Sequence, residues 1–157
     1  MSHELTISQA GPEDLETILS LQKECYISEA ELYNDFNIQP LTQTIESIKD
    51  EFQSGTLFLK GIIDNKIVAS VRASVKDDTS YIGKLVVNTA FQGKGIGQKM
   101  MNAIEKEFDN CKQYELFTGH KSEKNIYLYK KLGYTEYKRQ AINDHLTLIY
   151  MNKKIAK

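Results

Sequence analysis

Three glycines alternate with other residues in the segment Gln92-Gly93-Lys94-Gly95-Ile96-Gly97-Gln98. Glycine reaches positive φ angles without strain, so this spacing can turn several backbone N–H groups toward one point. A helical pattern follows, and the N-terminus of a helix adds unpaired N–H groups and a positive dipole end. The segment therefore predicts a binding site for a phosphate group, and the alternative is a glycine turn of purely structural use.

Two common phosphate-binding loops do not match this spacing. A dinucleotide-binding loop has the pattern G-x-G-x-x-G, and a P-loop has a Gly-Lys pair followed directly by Ser or Thr. Here Gly93-Lys94 is followed by Gly95. The sequence therefore indicates a phosphate ligand held by neither of these two loop classes.

Hydrophobic periodicity predicts the elements that position this segment. Tyr81–Val87 is apolar on both faces, which predicts a central β-strand before the glycines. A helical period follows from about Gly95 to Asp109, then a strand at Tyr114–Thr118 and a short helix from Ser122, a suitable N-cap, to Leu132. The glycines thus lie in a β-loop-α-β unit.

The N-terminal third is predicted to be mainly helical. A strand at Leu5–Ser8 precedes a helix that begins near Pro12 and keeps its apolar period to about Tyr26. Residues 27–40 have no clean period and predict an irregular connection. A second helix is predicted from near Pro40 to Ser54-Gly55.

The remaining segments predict strands. Thr56–Ile63 and Ile67–Lys76 flank Asp64-Asn65-Lys66, which predicts a hairpin, and Tyr134–Gln140 and His145–Asn152 predict two closing strands. The sequence therefore indicates a single domain over residues 1–157 of the α/β (α+β) class. Its mixed central sheet is expected to be flanked by about four helices.

Composition sets limits on partners and location. The chain has 157 residues, of which 41% are hydrophobic, enough for one core, and its 20 basic and 21 acidic residues show no overall bias toward nucleic acid or membrane. No apolar stretch could span a bilayer, and Met1–Glu4 lacks a signal-peptide core. Cys25 and Cys111 belong to no paired motif. We expect a cytoplasmic protein with reduced cysteines, no metal and no nucleic-acid or membrane partner.

The charges are nevertheless distributed unevenly. Residues 11–51 contain ten acidic residues and two lysines, a net charge of −8, whereas residues 52–157 contain ten acidic and eighteen basic residues, a net charge of +8. The asymmetry indicates either solvated helix faces or a field that attracts a ligand.

Two segments carry a resemblance to a known family. Gln92–Gly97 resembles the Gln/Arg-x-x-Gly-x-Gly/Ala motif of the GNAT acetyltransferases, and Ser122–Tyr134 is similar to the Ala-x-x-Leu-Tyr-x-x-x-Gly-Phe segment of that family. The resemblance covers nearly the whole chain in element order and is most specific from Tyr81 to Tyr134. It implies the GNAT fold, with a splayed pair of strands at a site for acetyl-CoA.

The resemblance also implies the residues that bind the cofactor. The loop amides would bind the pyrophosphate of coenzyme A, and the preceding strand would pair with the pantetheine arm like an added strand. The residues implied are Gln92, Gly93, Lys94, Gly95, Ile96, Gly97 and Gln98 in the loop, and Leu85, Val86 and Val87 in the strand. Basic residues expected to flank the cofactor and steer its approach are Lys94, Lys99, His120, Lys121, Lys124, Lys130 and Lys131.

Tyr129 aligns with a family tyrosine, which implies that its hydroxyl protonates the departing coenzyme A thiolate. Asn125 replaces the usual alanine one turn earlier, on the same helix face, and is expected to donate a hydrogen bond to the pantetheine arm. The alternatives are a core aromatic for Tyr129 and an ordinary polar residue near a helix end for Asn125.

The implied reaction is direct attack of an amine on the acetyl carbonyl. Many family members remove the amine proton with a glutamate on the central strand, but Lys84 occupies that neighbourhood and Tyr81–Val87 contains no carboxylate. The base is therefore unassigned. The groups that could contribute are Glu29, Glu31, Asp35, His120 and His145.

The sequence does not identify the acceptor of the acetyl group. A small cationic amine or polyamine is favoured, because GNAT acceptors bind largely against the N-terminal helices, and the predicted connection there holds Glu29, Glu31 and Asp35. The alternatives are a protein or peptide N-acetyltransferase, a non-catalytic module that binds coenzyme A, and a phosphate-ligand sensor. Monomer and homodimer are both compatible with the sequence.

Overall fold

The computed structural model describes residues 4–155. Met1–His3 and Ala156–Lys157, which belong to the predicted domain range, lie outside the described residues, as does most of the Met1–Glu4 segment. Within residues 4–155, no helix combines the length and the hydrophobicity that a membrane crossing requires.

A sheet of seven strands forms the centre of the molecule, in the order β1-β2-β3-β4-β5-β7-β6. The strands are Thr6–Gln9 (β1), Leu57–Ile63 (β2), Lys66–Lys76 (β3), Thr79–Val87 (β4), Gln113–Gly119 (β5), Thr135–Ala141 (β6) and Thr147–Lys154 (β7). All neighbouring pairs are antiparallel except β4 and β5, which are parallel. The predicted mixed sheet with β4 at its centre is confirmed.

Helices cover both faces of this sheet. They are Leu15–Tyr33 (α1), Gln39–Thr42 (α2), Ile45–Gln53 (α3), Ile96–Glu107 (α4) and Glu123–Lys131 (α5). The sheet separates two apolar clusters. Phe58 packs with the buried residues of α1 and α3, whereas the adjacent Leu59 packs with those of α4, because successive strand residues point to opposite faces.

Two tight turns fix the register of β2, β3 and β4. Asp64 and Asn65 have φ angles of 51° and 65°, and Asp77 and Asp78 have φ angles of 53° and 61°. Two consecutive residues with positive φ match the right-handed twist of a hairpin, and Asp and Asn tolerate this conformation better than most residues. The predicted hairpin is confirmed, and a second hairpin connects β3 to β4.

Helix α1 is longer than predicted. It continues past Tyr26 to Tyr33 and ends at Asn34, which has a left-handed φ angle of 51°. The apolar period disappears after Tyr26 because one face of this extension, with Glu29, borders a cavity rather than the hydrophobic core. The prediction of an irregular connection was therefore wrong for residues 27–33.

The second predicted helix is divided in two. Helix α2 ends at Thr42, with Gln43 as its C-cap, and Thr44 caps α3 by accepting a hydrogen bond from the backbone N–H of Ser47 at 3.1 Å. The buried amide of Gln43 bonds to neighbouring side chains instead of continuing the helix. Residues 4–155 consequently contain five α-helices where about four helices were predicted.

Strands β4 and β5 separate along their length. They pair only at Thr79–Tyr81 with Gln113–Glu115, although β4 continues to Val87 and β5 to Gly119. A bulge in β4 places two residues, Lys84 and Leu85, opposite one residue of β3, and bulges bend the strand that carries them. The predicted splayed strand pair is thereby confirmed, and the edge of β4 beyond Tyr81 faces a cleft.

Candidate functional site

The glycine loop lies at the surface between the end of β4 and helix α4. Gly93 and Gly95 have φ angles of 78° and 79°, and a Cβ added at either position would meet no atom within 4 Å. Gly95 is the N-cap of α4, so the first backbone N–H groups of that helix lack intrahelical partners. The loop therefore presents an open backbone surface, with unpaired N–H groups, that an anion could approach.

The other loop residues hold this surface in place. Gln92 ties the loop to the strand, because its Nε2 donates a hydrogen bond to the backbone oxygen of Val87 at 3.0 Å. The Ile96 side chain is buried in the core, so only its backbone faces the loop. A Cβ at Gly97 would lie 3.5 Å from Leu128 of α5, which shows that α4 and α5 approach closely there.

The predicted strand residues differ in how they border the cleft. Leu85 lines it, whereas the Val86 side chain is buried in the core. The Val87 oxygen already accepts hydrogen bonds from Gln92 and from the thiol of Cys25, at 3.3 Å for the latter. Backbone pairing of a ligand with β4 would therefore fall mainly before Val87.

A cavity of about 620 Å³ occupies the cleft between β4 and β5. It is bordered by the C-terminal half of α1, the first turns of α5 and the outer strands β6 and β7. Asn125 and Tyr129 both line it, from the same face of α5. The loop residues Gln92–Gln98 lie outside this cavity, so a ligand that contacts both must extend along the edge of β4.

Tyr129 is buried at the inner end of the cavity. Its ring packs edge-on against Tyr134, with 6.1 Å between ring centroids, and its hydroxyl has no hydrogen-bond partner among residues 4–155. Burial raises the pKa of the Tyr129 hydroxyl above its ordinary value, and the nearby Tyr26 and Glu29 raise it further. The group therefore keeps its proton and can act as a donor, while its ring also contributes to the core.

Of the carboxylates named above, Glu29 borders the cavity, and its Oε2 accepts a hydrogen bond from Ser122 Oγ at 2.7 Å. Ser122 lies 2.8 Å from the Tyr33 hydroxyl, which in turn accepts from the backbone N–H of Lys121 at 2.8 Å. The Ser122 hydroxyl thus orients Glu29 and does not cap α5, although Ser122 is the N-cap residue as predicted.

The other proposed acidic and basic groups lie elsewhere. Glu31 is exposed on α1, and Asp35 accepts hydrogen bonds from the backbone of Asn37 and the side chain of Asn143. His120 bonds to the backbone of Thr147, and His145 is exposed. None of these four side chains lines the cavity in the part of the chain that the structure describes.

Two cations at the cavity were not predicted as site residues. Arg72 is 4% exposed; it donates to Glu51 at 2.7 Å and to Gln22, and it lies 4.6 Å from the centroid of the Phe58 ring. Its Nε is buried without a partner within residues 4–155. The signal in the sequence was a lone arginine within the apolar run of β3.

Lys84 is the second cation, and it sits in the β4 bulge with a φ angle of 53°. Burial lowers the pKa of Lys84 below its ordinary value, and the positive charge of Arg72 lowers it further, against an opposing effect of Glu51. A left-handed lysine costs about 1–2 kcal/mol of strain, and such strain is common where function requires it. The wall of the cavity formed by β3 and β4 is cationic through Arg72 and Lys84, and Glu51, the ion-pair partner of Arg72, also borders the cavity.

Residues that could bind other parts of the cofactor were also located. The six lysines expected to steer it, Lys94, Lys99, Lys121, Lys124, Lys130 and Lys131, are all exposed. Lys94 lies 5.7 Å from the centroid of the Phe91 ring beside the loop. In residues 4–155 there is no group of three His, Cys, Asp or Glu side chains that could hold a metal ion.

These features fit acetyl-CoA, since the open glycine loop suits its pyrophosphate and the free edge of β4 suits its pantetheine amides. A sequence model described as "Acetyltransferase (GNAT) domain" matches residues 23–155. A search of curated proteins gives no significant match.

Solved structures share the fold. The ribosomal-protein-S18-alanine N-acetyltransferase of Escherichia coli superposes with a TM-score of 0.81 at 16% identity, over 98% of this chain and 96% of the other. An N-acetyltransferase of Staphylococcus aureus Mu50 gives a TM-score of 0.79 at 15% identity, over 98% and 99%. The Salmonella typhimurium protein yncA, solved with its cofactor acetyl-CoA, gives a TM-score of 0.77 at 18% identity, over 98% and 95%.

The match to the family model, over residues 23–155, covers most of the chain. The chain therefore belongs to the GNAT acetyltransferases, enzymes that transfer the acetyl group of acetyl-CoA.

Proposed function

We propose that this enzyme transfers the acetyl group directly to a primary amine, and that its acceptor is a small amine carrying a second cationic group, such as a diamine or polyamine. The observation that supports this most is the cavity itself. It brings a protonated phenol, a carboxylate and a cationic wall together beside the free edge of β4, through Tyr129, Glu29 and Lys84.

The residues proposed to hold acetyl-CoA are those of the glycine loop, the β4 edge and Asn125. When bound there, acetyl-CoA supplies the acetyl group as a reactive thioester. The exposed N–H groups of the loop and of the start of α4 bind the phosphates, and Asn125 Nδ2 is free to donate a hydrogen bond within the cavity. Leu85 provides an apolar wall and backbone groups at the reacting end.

Tyr129 is proposed as the proton donor. Its pKa is raised by burial and by the nearby Tyr26 and Glu29, so the hydroxyl stays protonated at neutral pH. A neutral phenol in a dry site is suited to protonate a departing thiolate. Asn125 lies one turn away on the same helix face and would keep a ligand aligned with this hydroxyl.

Glu29 is proposed as the group that accepts the proton of the amine. Ser122 donates a hydrogen bond to one carboxylate oxygen, Oε2, and thereby fixes the orientation of the side chain. The second oxygen remains available at the cavity. On the opposite wall, Lys84 and Arg72 would lower the pKa of an ammonium bound between them and the cofactor, since like charges disfavour each other.

The charge distribution supports an acceptor with two cationic groups. An ammonium group would be unfavourable beside Lys84 and Arg72, so the reacting nitrogen must be neutral there. The second, charged nitrogen of the acceptor must lie further from these two side chains. Glu31, on α1, and Asp35, just after the end of α1, lie outside the cavity. They are proposed to attract the acceptor rather than to contact it when bound.

The test is the release of free coenzyme A from acetyl-CoA in the presence of a panel of amines. We expect turnover with diamines, slower turnover with monoamines of the same length, and a kcat/KM that falls with added salt because exposed charges guide the acceptor. Preference for peptides with a free N-terminus would indicate a protein or peptide acetyltransferase. Binding of acetyl-CoA without release to any amine would indicate a non-catalytic module.

A further inference from the structure

Four aromatic side chains surround a carboxylate at the outer end of the cavity. Tyr81, Phe117, Tyr137 and Tyr150 all line it together with Glu115, and we refer to these five residues as the Glu115 cluster. Tyr81, Phe117 and Tyr137 are 42%, 57% and 46% exposed. Large aromatic side chains rarely group at an exposed surface without a ligand or partner to cover them.

The strand registers explain why these residues share one face. Tyr81 of β4 pairs with Glu115 of β5, and Phe117 pairs with Tyr150 of β7, so each pair projects to the same side of the sheet. A bulge in β6 between Glu136 and Lys138 adds Tyr137 to this side. Within residues 4–155, helix α1 packs mainly on β3 and β4 and not on the outer strands β6 and β7.

Glu115 lacks a cationic partner, since no lysine or arginine in residues 4–155 forms an ion pair with it. The Tyr137 hydroxyl donates a hydrogen bond to its Oε1. Burial raises the pKa of both Tyr81 and Tyr137, and the negative charge of Glu115 raises each further. Both phenols therefore remain neutral hydrogen-bond donors around a single negative charge.

One ring of this cluster, that of Tyr150, already contacts a cation within the protein. Lys138 Nζ lies 4.3 Å from the centroid of the Tyr150 ring, within the range of a cation–π interaction. Phe117 and Tyr137 lie beside the same ring, with centroids 5.6 Å and 6.3 Å from that of Tyr150. The arrangement combines the negative faces of several rings with an unpaired carboxylate, which is the chemistry that recognises an ammonium group.

On the basis of the function proposed above, we propose that the Glu115 cluster binds the distal ammonium of the acceptor. Glu115 supplies the ion pair, and Phe117 and Tyr81 supply ring faces, since the Tyr150 ring already contacts Lys138. The reacting nitrogen then lies deeper, between Tyr129, Glu29 and the cationic wall of Lys84 and Arg72, where it is neutral. Selection of the acceptor thus depends on the outer strands of the sheet, whereas Glu31 and Asp35 act at a distance.

The experiment compares three acceptors with a four-carbon chain in the coenzyme A release assay: butane-1,4-diamine, butylamine and 4-aminobutyrate. They present a distal ammonium, a methyl group and a carboxylate. We expect the wild-type kcat/KM to be highest for the diamine, by about 10-fold over butylamine, and lowest for 4-aminobutyrate. Glu115→Gln should lower the value for the diamine about 10-fold, mainly through KM, and leave that for butylamine within about twofold.

Two further variants make the result specific. Phe117→Ala removes an exposed ring and should lower kcat/KM for the diamine several-fold without loss of stability. Glu107→Gln removes an exposed carboxylate on α4, outside the cavity. It is the matched control and should leave kcat/KM unchanged for both the diamine and butylamine. Calorimetric titration of butane-1,4-diamine into each folded variant provides a binding readout that does not depend on turnover.

The outcomes separate the two proposals. An equal loss for both acceptors in Glu115→Gln, with the diamine still preferred by the wild type, overturns the assignment of the cluster alone. Equal use of diamine and butylamine by the wild type overturns both the cluster and the proposed diamine acceptor, while direct transfer to a primary amine stands. Preference for 4-aminobutyrate also overturns both and would assign recognition to Lys84 and Arg72 instead. Absence of coenzyme A release with every amine, despite binding of acetyl-CoA, overturns the proposed function and this inference together.

Discussion

Replacement of Gly95 by alanine tests the phosphate site most directly, because it adds one methyl group at one defined place. Gly95 has a φ angle of 79°, and an added Cβ would meet no protein atom within 4 Å. The cost to folding is then backbone strain alone, about 1–2 kcal/mol for an L-residue in this region. In a protein of this size that corresponds to a fall of about 2–8 °C in Tm.

The effect on the cofactor should be larger than the effect on the fold. The new methyl group would occupy the open side of the loop, where a phosphate must approach the backbone N–H groups of Gly95 and the first residues of α4. Loss of one hydrogen bond to a charged group costs about 1.5–3 kcal/mol. We therefore expect the Kd for acetyl-CoA to rise about 10- to 150-fold.

Calorimetric titration of acetyl-CoA and thermal unfolding measure the two effects separately. Gly55→Ala is the matched control: Gly55 also has a positive φ, 102°, and also has no atom within 4 Å of an added Cβ, but it lies in the turn after α3. It should lower Tm by a similar amount and leave the Kd unchanged. If Gly95→Ala bound acetyl-CoA as tightly as Gly55→Ala, the assignment of the loop would be wrong.

Three further predictions concern the cavity. Tyr129→Phe should lower kcat about 10²–10⁴-fold with little change in cofactor affinity, since only the hydroxyl is lost; single-turnover kinetics would detect this, and an unchanged rate would leave Tyr129 a packing residue. Glu29→Gln should lower kcat at neutral pH by about 10²-fold, and kcat should recover as pH rises because free amine accumulates. The control is Glu24→Gln, at an exposed position on the same helix, which should show the pH–rate profile of the wild type. Lys84→Met should raise Tm at pH 7, because the pKa of Lys84 is lowered in the fold. The protonated form of Lys84 therefore lowers the stability of the fold at pH values below the folded pKa, and this loss disappears as pH rises toward the ordinary pKa of 10.5. If the gain in Tm of Lys84→Met stayed unchanged at high pH, it would contradict a lowered pKa of Lys84.

The parts of the fold that depend on local sequence could be predicted. The hairpin turn at Asp64-Asn65, the strand before the glycines and the helix after them each follow from a short pattern: turn residues, an apolar run or a helical period. The separation of β4 from β5 could be anticipated only through the family resemblance. Its immediate cause, the bulge at Lys84, depends on a register that no local pattern defines.

The features that the sequence did not predict have a common physical cause. The last two turns of α1 present polar residues to a cavity, so the apolar period that marks a helix stops while the helix continues to Tyr33. Arg72 lies in an apolar strand, and only its network with Gln22 and Glu51, from two helices, shows how its charge is accommodated. Interactions between distant segments decide both features, and a single sequence does not show which distant segments meet.

The longer helix also changes where a base can be sought. Since β4 has no carboxylate, a proton acceptor must come from another element, and the extension of α1 brings Glu29 to the cavity opposite Lys84. Taken alone, transfer of a proton from an alkylammonium to a carboxylate is unfavourable, because their ordinary pKa values differ by about 6 units, or about 8 kcal/mol. Positive charge near the amine reduces that difference by lowering the pKa of the ammonium, and a carboxylate beyond it provides the acceptor. A lysine at the position on β4 where many relatives place a glutamate is therefore compatible with catalysis, provided that the carboxylate stands on the facing wall and that the substrate's second positive charge is held away from both.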